Sequence, residues 1–588
     1  MLVAAAVTGS SYTFGVYSSA LKEKYKFSQS QLDNISTLCF CSGFLTWLPG
    51  LIADRLGPSR TIFLGGSVQS TSFILFYLYS SSFFPNSANN TVNMLFLAIL
   101  LMTQFLGSGC VVAAVFSTTV RTFPKHRGLV TGLIKGWVGL CGGMITQIFV
   151  GVVWGLDLDD QDDEAWLSFT LVAGVIVVFA TLLSSRVLGK NAERVEEAEG
   201  AKFDAQVRRR VKMGYVILVA MGVFVVSSAL LEKYVPHFVL SIFAFLIVCI
   251  YVSPSLLAGD WIDSAFSDER SNFAPLLKGE DDVLSNILDA EEGGVTSISV
   301  PQTTGPDYTI RTMVQTLDFY LLLYSLVVLI GSGIAVTTNS GQMFSSIGSN
   351  MSAVSSTIFS VTQSFARVSC GVLCDMLRRK SWQRLWVVLI GLLVMMTSYF
   401  LFFINTEISM VLGMAISGLA FGSAWPTMVV VVSETFGMKN MGGNYMVYDG
   451  FASAVGTLVL GKLIPEQAYN SHLEPGETEC TGKDCYEAAY GNILLICASA
   501  VVTSYIFISR AKADRMLDMG LEPHLNAVLE AMEGLMKSED ETQAYEQELK
   551  DLRENPTKDP EHRLTAISPR PCPRRLSASQ GPSSGTRR

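Results

Sequence analysis

The sequence predicts an all-helical membrane protein with about fourteen transmembrane helices, arranged as two six-helix halves with an extra helix pair between them. Three observations predict this architecture. Of the 588 residues, 49% are hydrophobic and 16% are charged, a smaller charged fraction than soluble proteins carry. Apolar runs of membrane-spanning length recur along the chain. Short polar signatures at or inside these runs occur twice, about half a chain apart.

Apolar runs of about 20 residues are the primary elements, because a helix of that length crosses the hydrocarbon core of a bilayer. They lie near residues 1–20, 33–53, 61–80, 93–117, 128–154, 166–188, 213–235, 237–259, 316–338, 353–377, 383–404, 408–432, 441–463 and 490–509. The seventh and eighth runs form the extra pair. Because the number of added spans is even, the second half keeps the orientation of the first.

The first repeated signature ends the second span of each half. Gly50 precedes Asp54 by four residues, Gly371 precedes Asp375 by four, and basic residues follow in both cases. The two aspartates are 321 positions apart. Glycine at such a position permits the close approach of two helices.

The second repeated signature, GLVTGLIKG and GGNYMVYDG, places Lys135 and Asp449 each seven residues after one glycine and one before another. These two residues are 314 positions apart, close to the separation of the aspartates. We interpret the two halves as a duplication. Parallel repeats of this kind build the transporters of the major facilitator superfamily, whose fold we therefore predict.

Lys135 lies eight residues beyond Arg127, or about 12 Å into the bilayer at 1.5 Å per helical residue. An unpaired cation at that depth costs on the order of 2.5–3.5 kcal/mol, so the side chain should face the protein interior or a wet cavity. Two interpretations stay open for Lys135: a site for a substrate anion or for coupling, and a snorkelling or structurally paired lysine. For Asp449 we favour a gate or proton site over a structural role.

Lysine and arginine in short loops set the orientation of the chain. Basic turns occur around Arg55 and Arg60 and at 121–127, 186–212 and 378–384, whereas loops 81–91, 157–164 and 466–487 are almost free of them. We predict a cytosolic location for the basic turns and for both termini. The membrane, plasma membrane or vacuolar and other endomembrane, is left open.

The predicted organisation has five parts. They are an N-terminal six-helix half (1–188), a cytosolic linker with the extra transmembrane pair (189–259), an acidic cytosolic loop (260–315), a C-terminal six-helix half (316–510) and a partly disordered cytosolic tail (511–588).

Several function classes find no support in the sequence. The five histidines are scattered without metal-ligand spacing, and no phosphate-binding GxxxxGK[ST] loop or nucleic-acid-binding basic stripe occurs. We therefore predict neither an enzyme nor a cofactor or metal site. Of the eleven cysteines, only Cys480 and Cys485 lie in a polar loop. Their spacing permits a disulfide in an external loop, and two free thiols are the alternative.

A family resemblance is carried by TFPKHRGLVTGLIKGWVGLCGG at 122–143, YTFGVYSSALKEKY at 12–25, NSGQ at 339–342, SETFGMKN at 433–440, and the Cys480 and Cys485 loop followed by Tyr486. These segments resemble the plant nodulin-like transporters of the major facilitator superfamily. The resemblance covers most of residues 1–510. It implies a transporter much more firmly than it implies a substrate.

A looser resemblance occurs at SFARVSCGVLCD (364–375), which is similar to the monocarboxylate transporters. Arg367 matches their intramembrane arginine, but Gln363 stands where they have an aspartate. The resemblance implies anion recognition by Arg367. It puts proton coupling through this pair in doubt, because glutamine does not titrate.

The superfamily resemblance implies roles for further residues. Its loop acid contacts a neighbouring helix end and an arginine, forming a cytosolic latch that breaks when the transporter opens inward. The gating and coupling candidates are Gly50, Asp54, Arg55, Arg60, Asp375, Arg378, Asp449 and Glu434. The candidate substrate-binding residues are Lys135, Arg367, Gln104, Asn339, Gln342, Tyr12 and Trp425. For any single amide, interhelical hydrogen bonding is the commoner role.

The predicted function is secondary-active or facilitative transport of a small organic solute by alternating access, with a carboxylate-bearing solute favoured by Lys135 and Arg367. The expected partners are that solute and the lipid bilayer, and a coupling proton or ion is left open. Two alternatives remain: a neutral sugar or amino-acid carrier of the same fold, and a non-transporting membrane sensor.

Overall fold

The computed structural model describes residues 1–84, 87, 89–153, 163–196, 201–231, 234–256, 307–349, 351–377, 381–472 and 480–518. Their regular structure is helical throughout. The described residues of Met1–Ala511 form one compact unit, which contains both halves and the inserted pair. The predicted acidic loop and tail lie mostly outside the described residues.

The N-terminal half consists of eight helices. They are α1 (Leu2–Thr8), α2 (Phe14–Tyr25), α3 (Gln29–Cys41), α4 (Trp47–Leu56), α5 (Pro58–Ser80), α6 (Asn90–Thr122), α7 (Arg127–Val153) and α8 (Phe169–Glu196). A 3-10 turn at Gly9–Tyr12 joins α1 to α2, and another at Ser42–Leu45 joins α3 to α4. The inserted pair is α9 (Ala201–Leu231) and α10 (His237–Leu256).

The C-terminal half has seven helices, with a π-helical stretch at Gly456–Leu463. They are α11 (Leu317–Ser346), α12 (Ser352–Met376), α13 (Leu385–Ile404), α14 (Glu407–Thr435), α15 (Met441–Val455), α16 (Ile464–Ser471) and α17 (Asp484–Asp518). Asp307 and Tyr308 precede one further turn of helix, Ile310–Met313, ahead of α11.

Ten helices among the described residues are long and apolar enough to cross a membrane, or eleven if α3 and α4, bent by 47°, form one span. Helix is present at all fourteen predicted spans. Three do not meet this criterion: 1–20 is broken by the polar turn Gly9–Tyr12, 237–259 yields a shorter apolar helix, and α12 is rich in serine. Polar residues that serve the interior of a bundle lower the mean hydropathy of the helices that carry them.

Local sequence fixes the turn that follows the first signature. Gly57 has φ +77°, a conformation that favours glycine, and Pro58 starts α5 at the first helical position, where its missing N–H costs nothing. α5 therefore begins immediately after α4, with Gly57 alone between them.

Two helix crossings are the most extensive contacts between the halves. In one of them α4 packs against α15, and in the other α7 packs against α12. The inserted helices α9 and α10 pack against α7 on its other side. α7 is thus held between the C-terminal half and the inserted pair, and it carries Lys135 into the interface.

Candidate functional site

Lys135 lies at the interface between the halves and is 5% exposed. Its Nζ donates to Tyr445 Oη at 2.8 Å and lies 3.5 Å from Asp449 Oδ1. Tyr445 donates its hydroxyl hydrogen to the same carboxylate oxygen. Tyr445 precedes Asp449 by four residues, so both face α7 from one side of α15. A cation of one half is thus bonded to a carboxylate of the other.

Aromatic rings enclose the Lys135 ammonium. Its Nζ lies 4.5 Å from the ring centroid of Phe116, 4.8 Å from that of Trp425 and 5.5 Å from that of Tyr445. Ring faces attract cations, and this attraction is stronger where water is excluded. The rings therefore help to hold a charge that would otherwise be costly at this depth.

Arg367 joins the same cluster from α12. Its guanidinium donates to the Lys135 carbonyl at 3.2 Å and to Gln363 Oε1 at 2.9 Å, and it lies 5.8 Å from the Trp425 ring centroid. Gly139 gives it room, because a Cβ at that position would lie 3.1 Å from Arg367 Nη1. Two cations and one carboxylate therefore share one buried region, hereafter the central cluster (Lys135, Arg367, Trp425, Tyr445 and Asp449).

A small cavity of about 30 Å³ adjoins the central cluster. Its lining includes Lys135, Asp449 and the hydroxyl-bearing residues Thr8, Ser11 and Ser108. A polar cavity of this size suits one or two water molecules rather than an organic solute. The conformation described is therefore nearly closed around the central cluster.

The first signature forms a bridge between the halves. Asp54 accepts from the backbone N–H groups of Gly442 at 3.1 Å and Gly443 at 2.7 Å, at the first turn of α15. It also accepts from Arg121 Nη2 at 2.9 Å. A carboxylate at a helix N-terminus satisfies unpaired donors and interacts favourably with the helix dipole. These contacts are hereafter the Asp54 bridge.

The repeated signature forms the reciprocal bridge. Asp375 accepts from the backbone N–H groups of Gly128 and Leu129, each at 2.8 Å, at the first turn of α7. Each half thus contributes one aspartate that caps a helix of the other half. These contacts are hereafter the Asp375 bridge, and the end of the bundle that contains both bridges is the bridge end.

Glycines allow the helices to cross closely at both bridges. A Cβ added at Gly50 would lie 2.5 Å from the Gly442 carbonyl oxygen, and one added at Gly371 would lie 2.6 Å from that of Gly128. Real Cβ atoms do not approach backbone atoms so closely. The duplicated glycines therefore permit the duplicated aspartates to reach their partner helices.

The other gating candidates have different surroundings. Arg55 and Arg60 are exposed, and Arg121 rather than either of them supplies the guanidinium of the Asp54 bridge. Glu434 forms an ion pair with buried Arg384 at the same end. Arg378 lies outside the described residues.

The bonds of the candidate amides go to their own helix or to neighbouring segments rather than to the central cluster. Gln104 donates to Ser11 Oγ at 2.9 Å, and Asn339 donates to the carbonyls of Ala335 at 2.8 Å and Gly461 at 2.9 Å. Gln342 accepts from Tyr486 Oη at 2.7 Å. The side chain of Tyr12 lies outside the described residues.

Cys480 and Cys485 form a disulfide at the opposite end of the bundle, hereafter the disulfide end. The small loop is anchored to the C-terminal half, because Gly482 N–H donates to the Ser346 carbonyl at 2.8 Å and Asn405 Nδ2 donates to the Lys483 carbonyl at 3.3 Å.

Sequence reasoning missed Phe116, Tyr445, Arg121 and Arg384. Tyr445 had a detectable signal, because it lies one helical turn before Asp449 in the duplicated signature. Arg121 lies in the basic turn at 121–127, which we used only to predict the orientation of the chain in the membrane. Nothing in the sequence around Phe116 distinguishes it from other buried apolar residues.

Comparisons with known proteins agree with the predicted family. Residues 1–258 match the Nodulin-like family model. Protein NUCLEAR FUSION DEFECTIVE 4 of Arabidopsis thaliana is 23% identical over 508 residues, covering 82% of this chain and 82% of that protein. Agnestins efflux protein AgnL12 of Paecilomyces divaricatus is 25% identical over 291 residues, covering 47% of this chain and 60% of that protein.

The fold is shared with a solved transporter structure. The proton:xylose symporter XylE, bound to 6-bromo-6-deoxy-D-glucose, superposes with a TM-score of 0.52 at 13% sequence identity, covering 86% of this chain and 94% of that chain. That structure is of a major facilitator superfamily protein, and the similarity shows a common fold. The chain is therefore similar to the Nodulin-like family over residues 1–258, and it shares the fold of a major facilitator superfamily structure, with ten or eleven helices among its described residues that could cross a membrane.

Proposed function

We propose that this protein is a membrane transporter that carries a small carboxylate-bearing organic solute by alternating access, with the central cluster as its binding region. The observation that carries this proposal is the burial of two cations, Lys135 and Arg367, with one carboxylate, Asp449, between the halves. A monocarboxylate bound beside Arg367 would bring a second negative charge to a buried region that holds two cations, where charge pairing is strong because water is largely excluded.

Arg367 is the favoured carboxylate ligand. Its guanidinium is buried between the halves, 5.8 Å from the Trp425 ring centroid and beside the backbone of Lys135. A guanidinium also presents a planar fork that matches a carboxylate with two parallel hydrogen bonds. Lys135 would then respond to the solute through its backbone contact with Arg367 and through Trp425, which lies beside both cations.

The two bridges are proposed as the gate that faces the cytosol, where the basic turns are expected by the charge asymmetry of the loops. Both bridges are made in the conformation described, which is therefore closed at the bridge end. Opening at this end would require the loss of the backbone contacts of Asp54 and Asp375. We place the disulfide end outside the cytosol, where an oxidising environment preserves the bond.

The test is an uptake screen with purified protein in proteoliposomes. Lactate, benzoate and succinate represent carboxylates, and glucose, xylose and alanine represent the alternatives. We expect saturable uptake of at least one monocarboxylate, and we expect no uptake of glucose or xylose. Uptake of a sugar without any carboxylate would replace this proposal by a neutral-solute carrier, and an empty screen would favour a non-transporting sensor.

A further inference from the structure

The chain between the two halves contacts both bridges, although it belongs to neither repeat. Its described parts are α9, α10 and the residues from Asp307 to the start of α11. Near the end of this segment, Asp307 and Tyr308 contact the turn that leads into α15. Near its beginning, Tyr215 of α9 contacts the first turn of α7. These are the two helix starts that Asp54 and Asp375 cap.

Asp307 and Arg121 both bond the backbone of Met438 and Lys439, Asp307 through their N–H groups and Arg121 through their carbonyl oxygens. Asp307 Oδ1 accepts from the backbone N–H groups of Met438 and Lys439, each at 3.1 Å. Arg121 donates to the carbonyl oxygens of these same residues, from Nε to Met438 at 3.0 Å and from Nη2 to Lys439 at 2.7 Å. Arg121 Nη2 also bonds Asp54. The position of this turn therefore depends on Asp307 and on the bridge together.

Tyr308 fixes the same turn through its backbone. Its N–H donates to the Phe436 carbonyl at 3.1 Å, and its carbonyl accepts from Asn440 Nδ2 and Asn444 Nδ2, each at 2.9 Å. Gly437 has φ +80°, and a Cβ there would collide with Asp307. Glycine therefore allows both the backbone conformation and the close approach of Asp307.

Tyr215 makes the corresponding contact at the other bridge. Its hydroxyl donates to the Leu129 carbonyl oxygen at 2.7 Å. The N–H of Leu129 donates to Asp375. Leu129 is thus bonded through its carbonyl oxygen to the inserted pair and through its N–H group to the C-terminal half. Gly132 leaves space for this contact, because a Cβ there would lie 3.3 Å from Tyr215 Oη.

We propose that the segment between the halves is a two-armed brace that positions both bridges, with Tyr215 as one arm and Asp307 with Tyr308 as the other. These are positioning residues: they hold the helix starts that the bridge aspartates cap, and none of them lines the cavity beside the central cluster. The brace stabilises the conformation closed at the bridge end. This inference rests on the proposed role of the bridges as a gate.

The test measures amide hydrogen bonds of the two bridges, which the brace residues do not form themselves. Full-length protein in lipid nanodiscs is analysed by residue-resolved hydrogen–deuterium exchange. For Asp307→Ala we follow the amides of Gly442 and Gly443, whose N–H groups donate to Asp54. For Tyr215→Phe we follow the amides of Gly128 and Leu129, whose N–H groups donate to Asp375. We expect exchange to accelerate about tenfold in each case, with Asp307→Asn intermediate because it keeps one side-chain oxygen.

Matched controls remove the same chemical groups elsewhere. Glu466→Ala removes an exposed carboxylate beyond α15, and Tyr505→Phe removes an exposed hydroxyl on α17. Neither should change exchange at the four bridge amides. If Asp307→Ala does not fold, Asp307→Asn and Tyr215→Phe carry the test.

Two outcomes would overturn the brace. One is acceleration confined to Met438 and Lys439, the amides that Asp307 bonds directly. The other is an equal acceleration across the whole bundle, which indicates lower global stability. Because this readout needs no solute, an empty uptake screen would leave it intact. Conversely, unchanged bridge amides would remove the brace without affecting the proposed transport.

Discussion

Lys135 of one half and Asp449 of the other occupy matching positions in the sequence repeat, and their charged atoms lie 3.5 Å apart. The repeat alone does not require this contact, because matching positions lie on opposite sides of the pseudo-two-fold axis. It arises because α7 and α15 both reach the interface between the halves. An ion pair inside the bundle therefore joins the halves, in addition to the two bridges at its end.

We predict that Lys135→Ala and Asp449→Ala each destabilise the protein, and that the double variant regains part of the loss. Removing one partner of a buried ion pair costs about 3–5 kcal/mol, because the other charge remains buried without it. Thermal unfolding midpoints of the two single variants and the double variant would measure this coupling, with Arg60→Ala as an exposed control. Strictly additive losses in the double variant would show that the pair is not coupled.

Uptake of an anionic solute should depend on both buried cations. We predict that Arg367→Ala and Lys135→Ala abolish uptake of the carboxylate found in the screen while the protein still reaches the membrane. Arg367→Lys should retain uptake with a higher KM, because it keeps the charge and loses the planar fork. Uptake by folded alanine variants at the parent rate would make a neutral-solute carrier the better interpretation.

The bridge aspartates should control exchange between conformations rather than solute binding. Each carboxylate accepts two backbone N–H bonds, and asparagine keeps only one side-chain oxygen to accept them. We predict that Asp54→Asn and Asp375→Asn each slow the return to the bridged conformation and therefore net uptake. Equilibrium binding of the solute should remain close to that of the parent. A changed Kd with unchanged exchange would contradict this prediction.

The sequence predicted helices and their order well, because the length of an apolar run is a property of the sequence alone. It also selected the residues of the central cluster other than Tyr445. A charge at membrane depth must turn inward, which restricts where Lys135, Arg367 and Asp449 can lie. The break in the first span at Gly9–Tyr12 was not predicted, because the flanking apolar residues dominate the mean hydropathy.

Partners that bind through backbone atoms could not be predicted. Arg121 and Asp307 both bond backbone groups of Met438 and Lys439, and because every residue carries such groups, the side chains of the partners do not reveal these contacts. The basic residues nearest to Asp54 in sequence were the natural candidates for its partner. The end of α6 nevertheless lies closer to the bridge in space, so Arg121 takes that role.

The disulfide should stabilise the loop that anchors the disulfide end. We predict that mass spectrometry of unreduced protein will find Cys480 and Cys485 resistant to alkylation, and that the double Cys→Ser variant loses about 2 kcal/mol for so short a loop. Loss of the loop should also free Gln342, which Tyr486 of α17 now bonds. Complete alkylation of both thiols without reductant would contradict the prediction.

The glycines at the helix crossings should be required for the bridges. A methyl group at Gly371 would lie 2.6 Å from both the Gly128 carbonyl oxygen and the Gly132 Cα, and these backbone atoms cannot move without separating α7 from α12. We therefore predict that Gly371→Ala breaks the Asp375 bridge and accelerates amide exchange at Gly128 about tenfold or more.

Gly341→Ala is the matched control, because its added Cβ meets nothing within 4 Å. That control should be neutral or slightly stabilising, since alanine favours helix over glycine by up to about 1 kcal/mol. Equal exchange at Gly128 in both variants would show that close crossing does not determine the bridge.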